Sequence, residues 1–242
     1  MRFNNCEYVK INKIADLRAG YQLRDRVDPD PKGKIKFIQV GDANRETHQI
    51  DLAKSDLITI DKAIEYGKYE LHGHEVLFLS KGSKPGAFTV PGVSDWVSRS
   101  CHVIPMSHFL ILESDKSRTY PPYLVWALNQ KFMEPAIKAS MKGSGIPFIA
   151  KSDFMDIKIP IPSIEVQKKI AELSALRTNE LILAKKRDGL MNQLLEALLF
   201  GQLEGDAADA ADASVAKQKL LDEYEKYKDI SPEDFQKELR KL

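Results

Sequence analysis

Ile157-Lys158-Ile159-Pro160-Ile161-Pro162-Ser163-Ile164-Glu165-Val166-Gln167 decides how this chain is organised. The run to Ile161 is strand-like, and each proline pushes the residue before it out of helical geometry while fixing its own φ. The strand must stop here. Ser163 is placed to cap a helix that begins after it, and no proline interrupts the helical pattern from there to Phe200-Gly201-Gln202-Leu203. A continuous helix from Ser163 to Phe200 is roughly 55 Å long at 1.5 Å per residue. Leu173, Leu176, Leu183, Leu190, Leu194 and Ala197 fall on a three-four spacing along it, with Glu180 and Arg187 on the same seam. A Leu-rich seam on so long a helix needs a partner along its length. Its charged positions favour one register, because a mispaired buried charge is costly. The alternative, a helix folded back onto its own domain, fits the length poorly. A globular unit thus ends abruptly, and a rod that sets a distance comes after it.

Upstream, short apolar runs alternate with turn signals. Lys34 to Val40 reads as a strand after the turn-rich Asp28-Pro29-Asp30-Pro31-Lys32-Gly33. Glu75 to Leu79, Ala87 to Val90, Val103 to Pro105 and Phe109 to Leu112 are further strands. Pro121 or Pro122 opens a helix to about Lys131, since proline is tolerated in the first turn, and a second helix covers Glu134 to Lys142. Strand and helix mixed without a βαβ rhythm point to the α+β class. The expected layout is a globular domain over residues 1–160, a long helix over 161–204, and an acidic linker with a helical tail over 205–242. The tail reads as a charged helix from about Val215 to Lys228 and another opening at Ser231-Pro232.

Composition excludes several classes. Of 242 residues, 43% are hydrophobic, enough for a proper core. No apolar run approaches the roughly 20 residues that a membrane span needs, and Met1 to Asn5 opens no signal-peptide apolar region. The only two cysteines, Cys6 and Cys101, form no spacing motif and read as ordinary thiols of a reducing compartment. Net charge is +1, unlike a generic nucleic-acid binder. Residues 1–160 nevertheless carry 23 Lys/Arg against 19 Asp/Glu, and residues 161–242 carry 13 against 16, so the front half is the mildly basic one.

Catalytic and metal-binding readings fare poorly. Tyr120-Pro121-Pro122-Tyr123 approaches the loop with which adenine-N6 methyltransferases hold a flipped base. Its first residue, however, is Tyr rather than the amide or acid that accepts from the target amino group. A helix start explains it more simply. Gly143-Ser144-Gly145 lacks P-loop spacing and reads as a mobile loop. His72-Gly73-His74 and Cys101-His102 lack third and fourth ligands at zinc spacing, so turns are the simpler reading. No nucleophile is organised by a base. No catalytic residue, metal or cofactor is expected.

DNA contact suits the loops better. Arg18, Tyr21, Gln22, Arg24 and Arg26 combine guanidiniums, a ring and an amide on one short segment; Arg reads guanine bidentately, Gln reads adenine, and either positions phosphates. Lys81, Ser83 and Lys84 around Gly82 offer amides and ammoniums to phosphate. Lys142 and Ser144 extend that surface, with Arg99, Lys138 and Lys151 as lesser additions. Each cluster taken alone also suits a solvated face.

Ile159-Pro160-Ile161-Pro162, Glu165, Gln167, Ile170-Ala171, Leu173, Leu190, Leu194-Leu195, Leu198-Leu199 and Gly201-Gln202-Leu203 together closely resemble the conserved region of type I restriction–modification specificity subunits. Gly20-Tyr21, Lys36-Phe37-Ile38-Gln39-Val40-Gly41-Asp42, and His74-Glu75-Val76-Leu77-Phe78 before Lys81-Gly82-Ser83 agree more loosely. The resemblance covers about residues 10–204. It implies a target recognition domain followed by a coiled-coil spacer helix, in a subunit that reads double-stranded DNA but does no chemistry. Most such subunits hold two of each, so this chain resembles a half-size form. A homodimer is then implied, with Leu173, Leu176, Leu183, Leu190 and Leu194 in an antiparallel pairing. Such a dimer would read a symmetric, interrupted target. The implied partners are a methyltransferase subunit and a restriction (motor) subunit, in the cytoplasm. Rival expectations are a stand-alone DNA-binding regulator and a self-sufficient methyltransferase.

Overall fold

The computed structural model describes residues 6–23, 28–60 and 66–203, together with residues 218 and 222. Arg24, Arg26, the acidic linker and, but for residues 218 and 222, the tail helices read from the sequence lie outside the described residues. The chain divides into two compact units, Met1–Ser174 and Ala175–Leu242.

The first unit opens with β1 (Glu7–Lys10), β2 (Ala15–Ala19), β3 (Ile35–Ile38), and the short pair β4 (Ala43–Asn44) and β5 (Gln49–Ile50). Strands β6 (Asp56–Ile58), β7 (Val76–Leu79) and β8 (Gly86–Phe88) precede helix α1 (Val93–Ser98). Then come β9 (His102–Pro105), β10 (Phe109–Ser114), α2 (Pro121–Leu128) and α3 (Glu134–Ala139). The hairpin β11 (Met141–Lys142) and β12 (Phe148–Ile149), helix α4 (Lys151–Met155) and β13 (Lys158–Ile161) lead into α5 (Ile164–Leu203).

Four strands form an antiparallel sheet in the order β2-β10-β7-β8, and three form a second sheet, β6-β3-β9, in which β3 and β9 run parallel. Successive side chains of a strand face opposite sides, and in the four-stranded sheet both sides are covered. Val76, Phe78, Leu110 and Leu112 join Tyr123, Leu124 and Leu128 of α2 in one core. Leu77, Leu79, Phe109 and Ile111 join Ile38, Ile50 and Val103 in the other. Burial on both faces is why β7 and β10 read as continuous apolar runs instead of alternating ones.

Helices α2 and α3 are shorter than expected, for identifiable reasons. Helix α2 stops at Leu128, and the Asn129 side chain then acts as an extra rung on β8. It accepts from the Ala87 amide at 3.0 Å and donates to the Ala87 carbonyl at 2.8 Å. Helix α3 stops at Ala139 because Met141 and Lys142 pair with Ile149 and Phe148 in the β11–β12 hairpin.

The proline–helix junction is built as a clamp. Among the described residues strand β13 pairs with β1 alone, Tyr8 opposite Pro160 and Val9 opposite Ile159, an edge position where a missing N–H is tolerated. The Tyr123 hydroxyl donates to the Pro160 carbonyl at 2.7 Å. Gln167, fully buried in the first turn of α5, uses its whole amide. Its Oε1 accepts from the Tyr120 amide at 2.8 Å, and its Nε2 donates to the carbonyls of Arg118 at 2.9 Å and Pro162 at 2.8 Å. The opening turns of the helix therefore belong to the first unit, which extends to Ser174, with Ala171 buried and Ile170 against the first core. The expected α+β class, with a long helix after a sheet-rich domain, is the one observed.

Candidate nucleic-acid interface

Three loops carry the cationic residues, and backbone hydrogen bonds hold them together. The β7–β8 turn meets the β11–β12 hairpin along a short stretch of pairing. Ile149 donates to the Ser80 carbonyl at 2.8 Å, the Gly82 amide to the Pro147 carbonyl at 2.8 Å, and Lys81 bridges Phe148. Gly82 has φ of +112°, a conformation open to glycine and costly for other residues. The β4–β5 turn docks onto the same turn through Arg45, whose Nη1 donates to the Lys84 carbonyl at 2.7 Å. Lys81, Lys84 and Lys142 are thereby brought together with Arg45, a residue that the sequence reading missed. Ser83, Lys84, Lys142 and Ser144 are all exposed. Lys142 also pairs with Asp153 at 2.7 Å while remaining 60% exposed. Beside this face lies a recess of about 400 Å³, lined by Arg45, His48, Lys84, Phe88, Asn129 and Lys138 among others. Burial, and secondarily the Arg45 cation, lowers the pKa of His48. His108 is lowered likewise by burial and then by Lys81.

The Arg18–Arg26 segment is arranged differently from the sequence expectation. Arg18 lies in β2 with its Nη2 3.2 Å from Oε1 of Glu75, whose side chain is 1% exposed. The same carboxylate accepts the backbone amides of His72, Gly73 and His74 at 2.9–3.1 Å. Arg18 thus acts as the counter-charge of a buried carboxylate through Nη2, while its Nε and Nη1 are buried without a hydrogen-bond partner. Tyr21 packs edge-on against Tyr69, ring centroids 5.2 Å apart, and its amide donates to the Pro105 carbonyl. A Cβ at Gly20 would fall on the backbone oxygens of Pro105 and Met106, which explains the Gly20-Tyr21 pair. Gln22 is exposed.

The other sequence clusters also resolve into packing. His72-Gly73-His74 is the turn wrapped around Glu75, and His102 Nδ1 lies 2.9 Å from Glu70. Tyr123 of the Pro-Pro-Tyr segment is 2% exposed. Its hydroxyl is bound to Pro160, and burial raises its pKa. Such a ring is closed to a flipped base, which removes the basis for a methyltransferase site there.

On α5, Leu173 is 67% and Leu176 41% exposed, as are Val166, Leu181, Ile182 and Leu195 to similar degrees. Leu183 is half-buried, whereas Leu190 and Leu194 are buried within the single chain. No helix among the described residues is long and apolar enough to cross a membrane.

A sheet-rich domain with a cationic loop face, clamped through a Pro-Ile-Pro junction to a long helix that exposes leucines, has the build of a recognition module with a helical spacer. The chain belongs to the type I restriction modification DNA specificity domain family, whose model matches residues 4–188. Over 86 residues the chain is 35% identical to the type I restriction enzyme MjaVIII specificity subunit of Methanocaldococcus jannaschii, covering 32% of this chain and 20% of that protein. The S subunit of a type I restriction–modification system from M. genitalium matches with a TM-score of 0.51 at 17% identity, covering 85% of this chain and 48% of that one. The HsdS subunit from Thermoanaerobacter tengcongensis matches with a TM-score of 0.52 at 14% identity, covering 93% and 46%. At such identities the two structures speak to the fold alone. This chain spans about half the length of those solved chains, and a fifth of the curated relative.

Proposed function

We propose that this chain is the DNA-reading subunit of a type I restriction–modification assembly, and that two copies pair through α5 to read a symmetric, interrupted target. Each copy contributes one recognition domain, with its cationic loops on the phosphates, and the length of the helix sets the gap between half-sites. Methyltransferase and restriction subunits then supply the chemistry on the bound DNA, in the cytoplasm. The observation that carries the pairing is the exposure of large apolar side chains along the helix at Val166, Leu173, Leu176, Leu181 and Ile182. A helix of 40 residues gains little by leaving such side chains in water and much by packing them against a second copy. Because Leu190 and Leu194 are already covered within one chain, the contact between copies centres on Leu173 and Leu176. Sedimentation equilibrium is expected to show a dimer at micromolar concentration. Combining Leu173→Glu with Leu176→Glu, both on exposed positions, is expected to give a folded monomer. A wild-type monomer, or a double variant that still dimerises, contradicts the pairing.

A further inference from the structure

We propose that Ile146, at the tip of the β11–β12 hairpin, enters a groove of the bound duplex and reads a thymine by contact with its C5-methyl group. This rests on the DNA-reading function proposed above and adds a specificity-determining residue to it. Ile146 is 75% exposed, more than any other large apolar side chain among the described residues. It sits where turn chemistry favours polar residues. Its neighbours present it. Gly143 turns the chain with φ of +93°, and Gly145 beside it has open space where a side chain would stand. Pro147 comes next, and its carbonyl is fixed by Gly82.

The hairpin is anchored at both feet, so the tip is held out on a rigid base. One foot is held by the Lys142–Asp153 ion pair, and the other by the Ile149–Ser80 hydrogen bond with the Lys81–Phe148 bridge. The surroundings select the occupant. Lys81 and Lys142 take part in these bonds, and Arg45 is bonded to the Lys84 carbonyl in the β7–β8 turn beside the hairpin. An apolar tip within a cationic collar suits a surface whose rim is anionic and whose floor bears methyl groups. The major groove of DNA has that composition: phosphates flank it, and thymine alone presents a methyl edge. An apolar protein partner is less well matched by the lysines.

The test is a selection of target duplexes from a randomised library by the full-length chain with its methyltransferase subunit, repeated with Ile146→Ala and with Lys84→Ala. Wild type is expected to select a motif containing a thymine in each half-site that Ile146→Ala no longer requires. Replacing that thymine by deoxyuridine should weaken wild-type binding roughly fourfold per half-site and leave Ile146→Ala unaffected. Lys84→Ala should keep the motif and flatten the salt dependence of binding, the signature of a lost phosphate contact. If wild type selects a motif and Ile146→Ala selects the same one with the same affinity, the tip contact is wrong while the DNA-reading function stands. If wild type selects no motif, that function fails as well.

Discussion

Changing Gln167 to Ala strips the proline–helix junction of three hydrogen bonds at one buried position. The Tyr120 amide loses its acceptor, and the Arg118 and Pro162 carbonyls lose their donor. Gln167 is 0% exposed. A buried polar group left unpaired costs about 1–3 kcal/mol, the amide N–H more than a carbonyl with its spare lone pair. Partial relaxation brings the expected loss to about 3 kcal/mol, a fall in Tm of ~6–12 °C for a unit of this size. Gln167→Glu keeps the shape and the acceptor but turns a carboxylate oxygen towards two carbonyls. Its deficit should match or exceed that of Ala at neutral pH. A carboxyl so placed has its folded pKa raised above the unfolded value, so the stability it contributes is present in acid and lost as pH rises. The gap between Gln167→Glu and wild type should therefore narrow as pH falls towards ~4. Thermal and urea unfolding followed by far-UV circular dichroism measures all of this, with Glu165→Gln on the exposed side of the same turn as control. A Gln167→Ala variant within about 0.5 kcal/mol of wild type, the range of an ordinary surface change, refutes the clamp.

Two other perturbations act elsewhere in the domain. Glu75→Gln removes the charge that neutralises Arg18 and weakens its acceptance of three backbone amides. The expected loss is about 2 kcal/mol, reduced from a fully buried pair because Arg18 is partly solvated, and it is read as a lower urea midpoint at unchanged slope; an unmoved midpoint is the contrary result. His48 and His108 both have pKa values lowered on folding, so the unfolded chain takes up protons first. The stability they contribute is complete above about pH 6.5 and is lost as pH falls below it. Combining His48→Asn, which suits the positive φ at that position, with His108→Gln should flatten the decline in unfolding free energy between about pH 7 and 5. An unchanged slope excludes these two groups as its source.

What the sequence disclosed divides by range of interaction. Prolines and hydrophobic period are local signals, so the β13–α5 junction, strands β3, β7, β9 and β10, and the start of α2 were all legible. Strand β1 was not, because Glu7-Tyr8-Val9-Lys10 becomes a strand only by pairing with residues 158–161 at the far end of the domain. The same limit misplaced Arg18. Its neighbours in sequence suggest a basic loop, but its partner Glu75 comes from another part of the chain. Lys81, Ser83, Lys84 and Ser144 were read as loop cations and hydroxyls and Lys142 as the end of a helix, where the structure has strand β11, yet nothing local said that two loops join through Gly82–Pro147 or that Arg45 completes the group. Gln167 stood in plain view within the motif. Its role stayed hidden because all three backbone partners are fixed by tertiary packing. Ile146 carried a local hint, a large apolar residue between Gly-Ser-Gly and Pro, which the reading of a mobile loop passed over.

Mapping N6-methyladenine across DNA from cells that express the methyltransferase subunit, with and without this chain, bears most directly on its assignment as the reading subunit. Methylation that depends on this chain, at a motif of two inverted half-sites separated by a fixed gap, is the predicted result. A methylation pattern indifferent to the chain, or one confined to a contiguous or asymmetric motif, contradicts it.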